Sequence, residues 1–203
     1  DLELTFTADN WNNPDDAATD AHTVTVTGVV DNVVDGNTTN ATITFKVKAD
    51  SASEYVALTP EGTVGVTVED VNAVGYTLSG TNYDADTGQV TVTEGSTTTF
   101  SVKLDTEPTG DVVLTFESSD DGEATVPADL ELTFTADNWN NPDDAALLAH
   151  TVTVTGVDDD VVDGDTDTTT ITFKVKAGSA SEYVALTPEG TVGVTVKDIN
   201  AVG

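Results

Sequence analysis

The chain has 203 residues, of which 37 are Asp or Glu and 6 are Lys, with no Arg, giving a formal net charge of −31. Self-repulsion on this scale destabilises a compact state unless counter-ions bind, and it excludes nucleic acid and anionic membrane as partners, since both need basic surface. Without Cys there is no disulfide framework, and no apolar run approaches spanning length, so membrane insertion is not expected.

Leu2, Leu4 and Phe6 alternate with Glu3, Thr5 and Thr7, the pattern of a half-buried strand. Asp9 to Ala18 reads as a loop around Trp11, and Val24 and Val26 mark a second strand at Thr23–Thr27. An acidic tip follows at Val29–Asn40. Ile43, Phe45 and Val47 then form a third strand, and Val64, Val66 and Val68 a fourth. Glu69–Gly75 reads as a short, stiff linker. Tyr76–Gly80 is a short strand, and Asp84–Gly88 a turn. Three further strands carry Val90 and Val92, then Phe100, Val102 and Leu104, then Val112, Leu114 and Phe116; Pro108-Thr109-Gly110 turns the chain before the last. A second acidic loop occupies Ser118–Gly122.

From Asp129 the opening pattern returns. Asp1–Gly75 aligns with Asp129–Gly203 without a gap at an offset of 128, and 11 of the 75 positions differ. The period is too long for a solenoid unit and suits a whole domain used in tandem. Short strands with Gly, Pro and Asp turns, and no sustained helical periodicity, predict an all-β antiparallel sandwich of seven to eight strands. Residues 76–203 form one complete module. Residues 1–75 are the C-terminal part of another, with four strands, incomplete alone. Beginning at Asp1 inside a strand pattern, the chain reads as a piece of something longer. Residues 76–128 are the only complement present for two four-strand sets. They are expected to pair with 129–203, leaving 1–75 to find strands in a second chain by strand exchange.

The densest charge is at Val157–Asp165. Asp158, Asp159, Asp160 and Asp163 fall within seven residues of one hairpin tip. Six lysines cannot neutralise such charge along the chain. A hard divalent cation that prefers oxygen ligands can, and Ca2+ fits best. Other acids also sit at strand ends: Glu94 after Gln89–Thr93, Asp120 and Asp121 after Leu114–Glu117, and Asp198 after Val194–Val196. Loops at one end of a sandwich come together whatever their sequence separation. Four loops are therefore expected to converge at one pole. Asp163-Gly164-Asp165-Thr166-Asp167 has an EF-hand-like rhythm but lacks the Glu at position twelve and the helices. The Trp residues are expected to cover the core edge. No nucleophile set is present, and no enzyme is expected.

Asp158-Asp159-Asp160-Val161-Val162-Asp163 between two strands, Val92-Thr93-Glu94-Gly95 early in the module and Val196-Lys197-Asp198 at its end together resemble the Calx-beta family. They resemble more nearly its bacterial relatives, repeated many times in very large RTX-type surface adhesins that depend on calcium. The resemblance implies an Ig-like, Calx-beta-like sandwich with metal ligands at one pole: Glu94, Asp120 or Asp121, Asp158, Asp159, Asp163 and Asp198, with Asp160 matching an acidic position of the motif. The first copy keeps Asp31, Asp35 and Asp70, but has Val30, Asn32 and Asn37 where the second has Asp158, Asp160 and Asp165. Its site is expected to be weaker. The implied role is a calcium-binding extender between neighbouring repeat modules of an extracellular adhesin on the bacterial surface, in cell adhesion and biofilm. The alternative is a module that binds carbohydrate through calcium.

Overall fold

The computed structural model describes residues 2–12, 22–57, 61–140, 150–162, 164–186 and 190–200. Two compact units divide it, residues 1–31 and 32–203. In chain order the elements are β1 Thr38–Phe45, α1 Ser53–Val56, β2 Gly62–Val68, β3 Tyr76–Ser79, β4 Tyr83–Asp84, β5 Gln89–Thr93, β6 Thr97–Leu104, β7 Val112–Ser118, β8 Ala124–Thr125, β9 Glu131–Phe134, β10 Thr151–Gly156, β11 Thr166–Val175, α2 Ser181–Val184 and β12 Gly190–Lys197.

Residues 76–200 form a β-sandwich. One sheet runs β3-β6-β10-β8, the other β4-β5-β12-β11-β7-β9. The strands follow the alternation of the sequence. Inward positions of β6 and β10 (Phe100, Val102, Leu104, Val152, Val154) meet those of β5, β7, β11 and β12 (Val90, Val92, Leu114, Phe116, Ile171, Val194 among them) in one buried cluster. A fully buried side chain of this size stabilises the fold by about 1.5–3 kcal/mol. Phe173 lies at the centre, its ring against Tyr76 and Phe116 at centroid distances of 4.9 and 5.4 Å. The ring also covers Gly190 on the neighbouring strand, where a Cβ would sit 2.1 Å from it, so only glycine fits beneath. Tyr183 is buried on α2, and its hydroxyl donates to the Thr106 carbonyl at 2.7 Å. Strand pairing is antiparallel except for β5 with β12, which is parallel.

The strands of 76–128 pair with those of 129–200 across both sheets. β7 lies between β11 and β9, β5 lies beside β12, and β6 and β8 flank β10.

The first copy differs. Its hairpin β1–β2 forms in the register of β11–β12: Thr38 faces Val68 as Thr166 faces Val196, with the same irregularity two residues on. It stands as a two-stranded sheet. The strands expected at Leu2–Phe6 and Thr23–Thr27 are not formed. Their counterparts β9 and β10 take their hydrogen bonds from β7, and from β6 and β8. A strand exists only where a neighbour supplies its ladder, and the neighbours are used once. Within residues 1–31 the local features do persist. The Phe6 ring stacks on His22 at 4.1 Å, and Thr7 N–H donates to Asn10 Oδ1 at 2.6 Å.

Candidate metal pole

The parallel pairing of β5 with β12 brings the C-terminal ends of both strands to one pole. Glu94, the residue after β5, therefore meets the residues after β12. Its N–H donates to the Lys197 carbonyl at 3.1 Å, and one of its carboxylate oxygens accepts from Ile199 N–H at 3.3 Å. Glu94 also bridges to Gly156 at the end of β10, so it closes the sandwich between its two sheets. It is 6 % exposed. The turn after β7 arrives through β8: Ala124 pairs with Gly156, and Val157 N–H donates to the Glu123 carbonyl at 2.8 Å.

Each acidic loop is shaped by its own carboxylate. Asp120 Oδ1 accepts from Gly122 N–H at 2.9 Å, and Asp159 Oδ1 from Val161 N–H at 2.7 Å. These are Asx turns, which keep the loops tight without a metal. Asp158 has a side-chain oxygen 3.7 Å from the point where a side chain on Gly95 would begin; Gly95 has φ +68° and leaves that approach open. Asp120, Asp121, Asp158 and Asp160 are exposed, and Asp159 and Asp198 are half-buried. Asp163 lies outside the described residues. The structure thus brings Glu94, the 120–123 turn, the tip at 157–160 and Asp198 to one end. Among the described residues, no three Asp, Glu or His side chains stand close enough to hold one ion.

One latch went unread in the sequence. Asp198 accepts from Gly164 N–H at 2.9 Å and from Asn200 N–H at 2.6 Å, and Asn200 Nδ2 donates to the Val161 carbonyl at 3.1 Å. The first copy repeats it. Asp70 accepts from Gly36 N–H and Asn72 N–H, both at 2.8 Å, and from Asp35 N–H at 3.0 Å, and Asn72 Nδ2 donates to the Val33 carbonyl at 3.1 Å. Asp-x-Asn after the last strand was the available signal, at 70–72 and 198–200. Asp31 and Asp35 are exposed, and Asp31 belongs to the other unit.

The backbone N–H of Asn72, then that of Gly36, hold the Asp70 carboxyl below the usual aspartate range, against a smaller desolvation that raises it; Asp35 N–H adds to the lowering. The folded value lies below the unfolded one. The latch therefore contributes above the ordinary aspartate range and is lost as pH falls through the folded value. In an NMR titration the amide shifts of Gly36 and Asn72 are expected to follow one midpoint below that of a free aspartate. A midpoint at the free value would remove the latch.

The same latch joins the copies. Asn32 and Val33, at the first tip, meet the second module: Val33 bridges to Glu107, and Glu107 N–H donates to the Asn32 carbonyl at 2.8 Å. Asp105 N–H donates to the Gly75 carbonyl at 3.0 Å, and Thr77 Oγ1 to Asp105 at 2.6 Å. The segment 70–75 is therefore tied down at both ends. Trp139 is packed into the core at 9 % exposure, with no open face for a sugar.

No family model matches the chain, and no curated protein matches it. Among solved structures, the chain is similar to domains 4 and 5 of the S-layer protein SbsC, with 23% identity over 68% of this chain and 53% of that one, at a TM-score of 0.36. It is similar to a longer SbsC structure, rSbsC(31-844), with 22% identity over 66% of this chain and 14% of that one, at 0.34. For SbsC domains 4-9 the values are 21%, 70%, 17% and 0.34. The chain spans about half the length of the first and under a fifth of the other two. At these TM-scores the likeness carries nothing about what this chain does.

Proposed function

We propose that the chain is a calcium-stiffened structural repeat, a rigid, non-enzymatic spacer within a large extracellular bacterial adhesin. The observation that carries the calcium reading is Glu94, a carboxylate 6 % exposed at the acidic pole, whose partner is a backbone amide. A buried carboxylate is costly without a compensating charge, and the chain carries −31. The donor set is all carboxylate, the chemistry of Ca2+ rather than of a soft metal. Glu94, Asp158, Asp159 and Asp198 would hold an ion, with Asp120, Asp121 and Asp160 at the rim. The ion would have to draw the exposed loops inward. The spacer reading rests on the junction, where Val33, Asn72 and Gly75 are hydrogen-bonded on either side of the link.

The test is thermal melting of the full chain, with small-angle scattering, in millimolar Ca2+ and in EDTA. A site with affinity tenfold below ambient calcium adds about 1.4 kcal/mol, or roughly 3–8 °C in Tm for a module of this size. The expected result is that rise, a smaller one in Asp158→Asn, and little response to Mg2+, which demands tighter octahedral geometry. An unchanged Tm and an unchanged scattering profile would sink the reading.

A further inference from the structure

The two copies present nearly the same sequence in two environments. Phe45 is 61 % exposed and its counterpart Phe173 2 %; Val64 is 54 % exposed and Val192 0 %; Tyr55 is 57 % exposed and Tyr183 0 %. Among the described residues, the hairpin β1–β2 is thus an open sheet face with two unpaired edges. In the second copy the same face and edges are filled: β7 adds to β11, β5 adds to β12, and β6 packs Phe100, Val102 and Leu104 across the core. All of these come from residues 76–128.

We infer that the open face of the first copy is a strand-complementation site whose occupant is a polypeptide of the 76–128 kind. Such an occupant adds one strand to each edge of the hairpin and a second apolar sheet over Phe45 and Val64. The recognition is β-augmentation, in which ladder hydrogen bonds give affinity and alternate side chains give register. Face and register are already matched, because the hairpin residues that meet β5 and β7 in the second copy recur in the first at the same pairing, except that Glu69 stands in place of Lys197, which faces Thr93. A second intact copy of this chain is the wrong occupant. Each chain carries two acceptor halves and one donor segment, so exchange between copies leaves as many faces open as before. The site needs no metal, which separates it from the calcium reading.

The experiment adds an isolated polypeptide of residues 76–128 to the full chain, in calcium and in EDTA, and follows calorimetry and amide hydrogen exchange. Saturable binding with equimolar stoichiometry is expected in both buffers, with new protection of the amides of β1 and β2, Thr38–Phe45 and Gly62–Val68, and none gained in β11 and β12. The double variant Phe45→Asp, Val64→Asp is expected to lose binding while the melting of the second module is unchanged, since both residues are exposed. Absence of binding overturns the inference. So does protection that appears in the second module alone, which means exchange there. So does light scattering that finds the chain by itself dimeric with the outer-edge amides of β1 and β2 already protected, because the face is then closed by its own copy.

Discussion

Replacing Phe173 by Ala is expected to cost about 3–5 kcal/mol, the range for deleting a buried Phe, whereas Phe45→Ala stays within about 0.5 kcal/mol, the range for exposed sites. Sequence around the two positions is the same from Ile43 to Lys48 and from Ile171 to Lys176. The difference lies in what surrounds them. Phe173 touches Tyr76 and Phe116 and covers Gly190, and all of these are lost to a cavity. Phe45 covers Gly62 in the same way but has water on its other side. Urea unfolding of each variant of the full chain measures the comparison. A fall in midpoint at an unchanged slope is expected for Phe173→Ala alone. Equal losses at the two positions would mean that the first copy has a closed core.

Gly156→Ala is expected to destabilise the second module by about 3 kcal/mol, the upper part of the range for overpacking. Gly156 is buried at the end of β10, where it bridges to Glu94. A Cβ there would meet the Thr93 carbonyl oxygen at 2.7 Å and the Glu94 nitrogen at 3.3 Å. Both are backbone atoms and neither can swing away. The strand end must separate from Thr93–Gly95, breaking Gly95 N–H to the Gly156 carbonyl at 3.1 Å and Gly156 N–H to the Ser96 carbonyl at 3.0 Å. Those bonds hold Glu94 against the strand end that leads into Asp158, so the calcium response is expected to shrink with stability. Melting Gly156→Ala with and without calcium checks both. Wild-type stability would show that the two sheets are not clamped at this point.

The acids at strand ends were legible, because the residue that closes a strand lies at one of the two ends of a sandwich. What made Glu94 distinctive was not. Its burial follows from the parallel β5–β12 pair, and nothing in the alternation of Val90 and Val92 specifies Val194 and Val196 as parallel neighbours. Asn72 and Asn200 read in the sequence as turn residues, as a single Asn after a strand does. Their role as ties to the tip emerges only when Val33 and Val161 are folded back beside them.

The internal repeat separates the two kinds of information. Where the 75-residue sequence recurs, the same features appear twice: the β1–β2 and β11–β12 register, the four-residue helices at Ser53 and Ser181, the Asn10 and Asn138 turns, and the stacked Phe6–His22 and Phe134–His150 pairs. These lie within a hairpin, a turn or a short return of the chain, so the sequence alone determines them. Strand or no strand at Leu2–Phe6 and Leu130–Phe134, and wet or dry at Phe45 and Phe173, was decided by tertiary structure. Ladder hydrogen bonds and burial need a second surface, and residues 76–128 provide one surface for two nearly identical claimants.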